Sequence, residues 1–107
     1  VKMYTRVESR RVLPRIDFRL KSNQELRRKI YQRDNFTCRR CGWRPSIIPQ
    51  NYDGRYSIYE DSLNNGLCLD HIKPLVRGGT HKESNLQTLC LRCNSIKVKE
   101  DKAEERL

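Results

Sequence analysis

Four cysteines set in two C-x-x-C pairs are the tightest constraint on what this 107-residue chain can become. The first pair, Cys38 and Cys41, sits in Phe36-Thr37-Cys38-Arg39-Arg40-Cys41-Gly42, and the second, Cys90 and Cys93, lies far downstream. A C-x-x-C followed by glycine has the form of a zinc knuckle, a tight turn that lets two thiolates face one ion. Redox pairs share the spacing, but they accompany a thioredoxin-like βαβ pattern that this sequence lacks. The alternative to a shared site is two unrelated thiol pairs. Taken together, the pairs predict a closed tetrahedral Cys₄ site with Zn–S bonds of about 2.3 Å and no open position, hence a structural zinc. Such a staple suits the composition. With 36% hydrophobic and 34% charged residues the apolar core must be thin, and small domains of this kind often need reinforcement. Cys68 is left over between Leu67 and Leu69 and reads as a buried packing residue.

A formal net charge of +10 favours a polyanionic partner, most simply nucleic acid. Neither end reads as a signal peptide, and no apolar run approaches the roughly 18 residues of a membrane span. The expectation is a cytoplasmic protein without a membrane partner.

Residues 1–21 form a basic arm in which Lys2, Arg6, Arg10, Arg11, Arg15, Arg19 and Lys21 face only Glu8 and Asp17. It reads as a nucleic-acid-contacting arm or a solvated extension. Ile16, Phe18 and Leu20 alternate with Asp17 and Arg19, which predicts a short strand or extended segment. Ser22-Asn23-Gln24-Glu25 has the form of a capping box, so a helix is expected from about Gln24 to Arg33. Leu26 and Ile30 would face the core, Arg27, Arg28, Lys29 and Arg33 the solvent, and Asp34-Asn35 would stop it. Residues 44–66 are turn-rich and read as an insertion, in which Tyr52, Tyr56, Ile58 and Tyr59 suggest a hairpin or packed loop. A strand over Leu67–Ile72 should end at Pro74. After a flexible loop around Arg77-Gly78-Gly79-Thr80, a second strand is expected over Leu86–Leu89, and then a helix from near Leu91 to about Glu100. Residues 101–107 read as a fraying tail.

Asp70-His71 is the second feature of note. Asp70 is the only acid between Gly66 and Lys82, among Lys73, Arg77 and Lys82. A basic patch prepared for phosphate has no use for a carboxylate unless it holds a cation. His81, in the following loop, reads as a solvated surface residue.

At these residues the chain resembles the HNH endonucleases of the ββα-metal superfamily. The matching text is D-H-I-x-P-L-x-x-G-G at Asp70 to Gly79, N-L-Q-x-L-C-x-x-C-N at Asn85 to Asn94, and Lys97, with C-R-R-C-G at Cys38 to Gly42 matching the zinc-stapled branch. The resemblance implies an α+β fold, a small ββα-metal (His-Me finger) domain with flanking helices over residues 22–100. It implies His71 as general base, Asp70 as a ligand of a catalytic metal, and Asn85 as the residue pinning the loop. Asn94 occupies the last motif position, where many members carry a second histidine, so this is an H-N-N variant. Two oxygen ligands, Asp70 and Asn94, suit Mg²⁺ or Mn²⁺. Arg77 and Lys97 are placed to reach DNA phosphates. The implied activity is hydrolysis of DNA phosphodiesters to 5′-phosphate and 3′-hydroxyl ends in a bacterial or phage setting. A chain this short is expected to have weak sequence specificity, or to gain it from a further domain or partner. The competing reading is a zinc-stapled DNA-binding module without catalysis. Oligomeric state is not legible.

Overall fold

The computed structural model describes residues 13–105. Lys2, Arg6, Arg10 and Arg11 of the expected arm, and the last two residues of the tail, lie outside the described residues. Helix α1 (Lys21–Arg33) is followed by strand β1 (Tyr59–Glu60), strand β2 (Asn65–His71), strand β3 (Leu86–Cys90) and helix α2 (Leu91–Glu105), with short 3₁₀ turns between them. The sheet is antiparallel in the order β1-β2-β3, and β2 pairs β3 from Leu67↔Cys90 to His71↔Leu86. Strand, loop, strand and helix thus follow one another without interruption from Asn65 to Glu105, the ββα unit the resemblance implies.

Helix α1 starts earlier than its sequence suggests. Leu20 is the N-cap and no side chain caps the helix, so the Ser22–Glu25 box does not form. The polar side chains there are drawn backward instead: Asn23 donates to the carbonyl of Asp17 at 2.9 Å and Gln24 to that of Phe18 at 2.8 Å. These bonds fasten the segment before the helix, which is an extended coil and turn rather than a strand. Arg27 is not on the exposed face. Its guanidinium donates twice to the Gly54 carbonyl, at 3.0 and 2.7 Å, and lies 4.1 Å over the Phe18 ring. Burial of a guanidinium is tolerable here because paired donors and an aromatic face replace water. Asp34 ends the helix as expected, and left-handed Asn35 and Phe36 turn the chain toward the first cysteine pair.

The core is thin and has two parts. Tyr31, Tyr52, Ile58 and Leu67 form one, with Tyr31 and Tyr52 stacked at 5.9 Å and Phe36 edge-on to both. Cys38, Leu89, Cys90 and Cys93 form the other, and Trp43 packs against both. The second cluster is apolar only at its rim, and its centre is sulfur.

Helix α2 leaves β3 with no connecting residue, so its first amides have no preceding turn to serve them. Buried Asn65 supplies the cap from β2: its Oδ1 accepts from Leu91 N at 3.1 Å. The free edge of β3 is covered as well. Thr88 N donates to Asp34 Oδ2 at 2.9 Å, and Arg39 N donates to the Thr88 carbonyl at 2.9 Å. An edge strand is thereby closed by the turn that leads into the knuckle. Among the described residues no helix is long and apolar enough to cross a membrane.

Candidate functional site

The four paired cysteines meet. Their sulfurs all lie within 4.8 Å of one another, and Cys41 and Cys90 are 3.7 Å apart. A tetrahedral zinc with bonds of about 2.3 Å would hold its sulfurs about 3.8 Å apart, so the donor set fits that ion. Backbone amides already point at the sulfurs: Cys41 N donates to Cys38 Sγ and Cys93 N to Cys90 Sγ, each at 3.4 Å. Burial pushes the Cys38 thiol up, but the amides of Cys41, Cys90 and Arg40 prevail and bring it down to about 6. Burial and the neighbouring sulfurs push Cys93 up. Cys41 also moves up, although the amide of Trp43 pulls the other way. One thiolate forms readily while those of Cys41 and Cys93 are opposed, a conflict that a cation among them would relieve. Cys68 stays outside. Its thiol donates to the Leu89 carbonyl at 3.4 Å and burial pushes it up to about 12, so it packs as a half-buried neutral group.

Asp70 and His71 close strand β2. Successive strand residues point to opposite faces, and the two side chains have different neighbours. Asp70 is buried; its Oδ2 accepts from Gln87 Nε2 at 2.8 Å and lies 3.5 Å from Lys97 Nζ. His71 is half-buried and lines a cleft of about 180 Å³ with Arg15, Ile16, Phe18, Leu69 and Leu75. Burial holds the imidazole below its usual 6.5, His81 and Lys97 push the same way, and Asp70 opposes them. The balance favours the uncharged ring.

Asn85 spans the loop between β2 and β3. Its Oδ1 accepts from Lys73 N at 2.8 Å, and its Nδ2 donates to the carbonyls of Lys73 at 3.2 Å and Thr80 at 2.8 Å. Its own carbonyl accepts from Ile72 N at 2.8 Å. The loop around Gly79 is close-packed, not loose: a Cβ on Gly79 would stand 1.9 Å from the Lys73 carbonyl oxygen. Arg33 reaches across from α1 to the carbonyls of Glu83 and Leu86, fixing both ends of the turn that carries Asn85.

Lys97 turns inward. Its ammonium donates to the His71 carbonyl at 3.0 Å and to Asp101 at 3.1 Å. Arg77 bonds Glu104 at 2.7 Å and the Asp101 carbonyl at 3.0 Å. Asn94 is half-buried on the first turns of α2. His81 is not a solvated surface residue. Its Nδ1 lies 2.9 Å from His71 Nε2, and its Nε2 lies 2.9 Å from the Pro14 carbonyl oxygen. Residues 13–20 fold back over the histidine strand, and no pattern in the sequence announces that contact. Gln87 and Asp101 also escaped the sequence reading. Gln87 was within reach of it, because an alternating strand that pairs with β2 had to place some residue opposite Asp70.

A family model described as HNH endonuclease matches residues 38–100, which is more than half of the chain. The chain belongs to that family, in its zinc-stapled branch. No curated protein and no solved structure gave a match.

Proposed function

We propose that this protein is a DNA endonuclease dependent on one divalent cation, with His71 as general base and Asp70 and Asn94 as the protein's metal ligands. The observation that carries the reading is the setting of His71, a half-buried imidazole at the end of β2, next in sequence to the buried carboxylate of Asp70 in a strongly basic family member. A carboxylate oxygen and an amide oxygen are hard donors, and with only two from the chain the rest of the shell falls to water and phosphate. That donor set fits Mg²⁺ or Mn²⁺. When bound, the cation supplies Lewis-acid stabilisation of charge on the phosphate and on the departing oxygen.

The chain's own residues do the rest. His71 accepts a proton from water, the water oxygen bonds to phosphorus, the bond from phosphorus to the 3′-oxygen breaks, and that oxygen takes a proton from solvent. The ends left are a 5′-phosphate and a 3′-hydroxyl. Asn85 holds the loop so that the base stays in line. Gln87 holds one oxygen of Asp70 and leaves the other for the cation. Because His71 and Asp70 have different neighbours, the phosphate they share sits beyond the end of β2. Arg77 meets a DNA phosphate by giving up its ion pair with Glu104. The basic arm adds non-specific affinity, and a zinc held by Cys38, Cys41, Cys90 and Cys93 would tie the knuckle to the start of α2, which carries Asn94.

A plasmid-nicking assay with added Mg²⁺ or Mn²⁺ tests this, comparing the parent with His71→Ala. Nicking by the parent alone supports the assignment. Equal nicking by both rules out the base. Salt-sensitive DNA binding without nicking by either leaves a zinc-stapled binding module.

A further inference from the structure

We propose that His81 is a positioning residue for His71: it fixes which ring nitrogen of the base carries the proton. The catalytic half of this inference rests on the nuclease reading above; the proton assignment does not. The Pro14 carbonyl oxygen is only an acceptor, so the His81 Nε2 that lies 2.9 Å away must carry hydrogen. The opposite assignment would set two lone pairs against each other. While each ring carries a single proton, His81 Nδ1 is bare and accepts. Its partner at 2.9 Å, His71 Nε2, is then the donor. His71 also has one N–H, and so its Nδ1 is left with a free lone pair. Two hydrogen bonds and one backbone carbonyl thus determine the reactive atom of the base.

Free imidazoles exchange between two tautomers, and only one of them presents a basic nitrogen in a given direction. His81 removes that ambiguity. A proton delivered to His71 Nδ1 leaves the Nε2–H···Nδ1 contact intact, so the ring need not move when it takes the proton from water. His81 is itself held. Asn85 Nδ2 donates to the carbonyl of Thr80, the residue before it, and Pro14 belongs to the segment tied to α1 through Asn23 and Gln24. The base is therefore oriented by parts of the chain that lie on both sides of it in sequence. The rings stand 5.0 Å apart, tilted by 55°, which suits an in-plane hydrogen bond and not a stack.

The chain has only two histidines, so ring ¹⁵N–¹H correlation spectra of the zinc-loaded protein contain two ring systems. At neutral pH both rings should show the Nε2–H form, with His71 Nδ1 unprotonated. His81→Leu keeps bulk but offers no acceptor, and should return His71 to a mixture of tautomers. His81→Asn sets an amide oxygen near the former Nδ1 and should restore the single form. In the nicking assay the leucine variant should lose about tenfold or more in kcat with KM unchanged, and the asparagine variant should recover most of it. A parent His71 protonated on Nδ1 would overturn the inference, as would a leucine variant with unchanged tautomer and unchanged kcat. The parent spectrum needs neither turnover nor a variant. If it shows the expected form while nothing is cleaved, the nuclease reading falls and the pairing stands.

Discussion

Asn85 clasps Lys73 by both backbone groups, accepting from its N–H at 2.8 Å and donating to its carbonyl at 3.2 Å. No ionised side chain can replace it, because a carboxylate accepts but cannot donate. Asn85→Asp should therefore do more harm than its small change in shape suggests. It keeps the bond from Lys73 N and turns two donated bonds into oxygen facing oxygen. The expected outcome is a fall in nicking of about 100-fold, with zinc content retained and faster hydrogen exchange confined to residues 73–81. Nicking within a factor of two of the parent would remove the loop clamp from the mechanism.

Lys97 places a positive charge 3.5 Å from the carboxylate proposed to hold the divalent cation. The two cations compete for one field, and the lysine side chain is only 16% exposed, so solvent screens little of the effect. Lys97→Met should lower the Mg²⁺ concentration for half-maximal nicking by about fivefold or more. It should also lower thermal stability, since the His71 carbonyl loses its ammonium donor. A titration in Mg²⁺ read by nicking rate decides this. An unchanged or higher half-saturation would mean that Lys97 does not share Asp70 with the metal.

The zinc centre predicts opposite behaviour for two cysteines. Cys41→Ser removes a ligand although Cys41 is exposed, while Cys68→Ser alters a half-buried thiol that ligates nothing. Elemental analysis should find one zinc per chain in the parent and in the Cys68 variant, and less in the Cys41 variant. Melting should fall by about 10 °C or more for Cys41→Ser, and by only a few degrees for Cys68→Ser. Chelation of the parent should unfold it. Full zinc content in Cys41→Ser would break the four-sulfur assignment.

Asp34 links stability to pH. Burial pushes its carboxyl up, but bonds from Arg33 and from the amide and hydroxyl of Thr88 outweigh that and hold it below the ordinary 3.8. A lowered folded pKa contributes stability that is complete above the unfolded value and is lost as the pH falls through the folded one. Asp34→Asn should cost about 1–3 kcal/mol at neutral pH. The gap in urea midpoint between the two proteins should hold steady down to about pH 5 and close below about pH 4. Both proteins are compared in excess zinc, because a chain that loses the metal in acid unfolds and has no urea midpoint. A gap independent of pH would show that the carboxylate's charge contributes nothing.

Much of this protein was legible from spacing. Paired cysteines at fixed intervals marked one shared four-sulfur site, because a single ion would need all four within its reach. The run from Leu67 to Ile72, ended by Pro74, marked a strand, and Asp70-His71 with Asn85 and Asn94 in order pointed to the family to which the chain belongs. These are local statements, and local chemistry enforces them. Tertiary structure decided the rest. It buried Arg27 against Gly54, because an insertion folded over a helix that would otherwise have kept that guanidinium in water. It drew Lys97 inward to the His71 carbonyl, and it laid Pro14 beside His81 although the two are far apart in sequence. Hydrogen bonds between distant segments leave no periodicity behind them, so which nitrogen of His71 is free depends on residues 13–20 lying over the histidine strand.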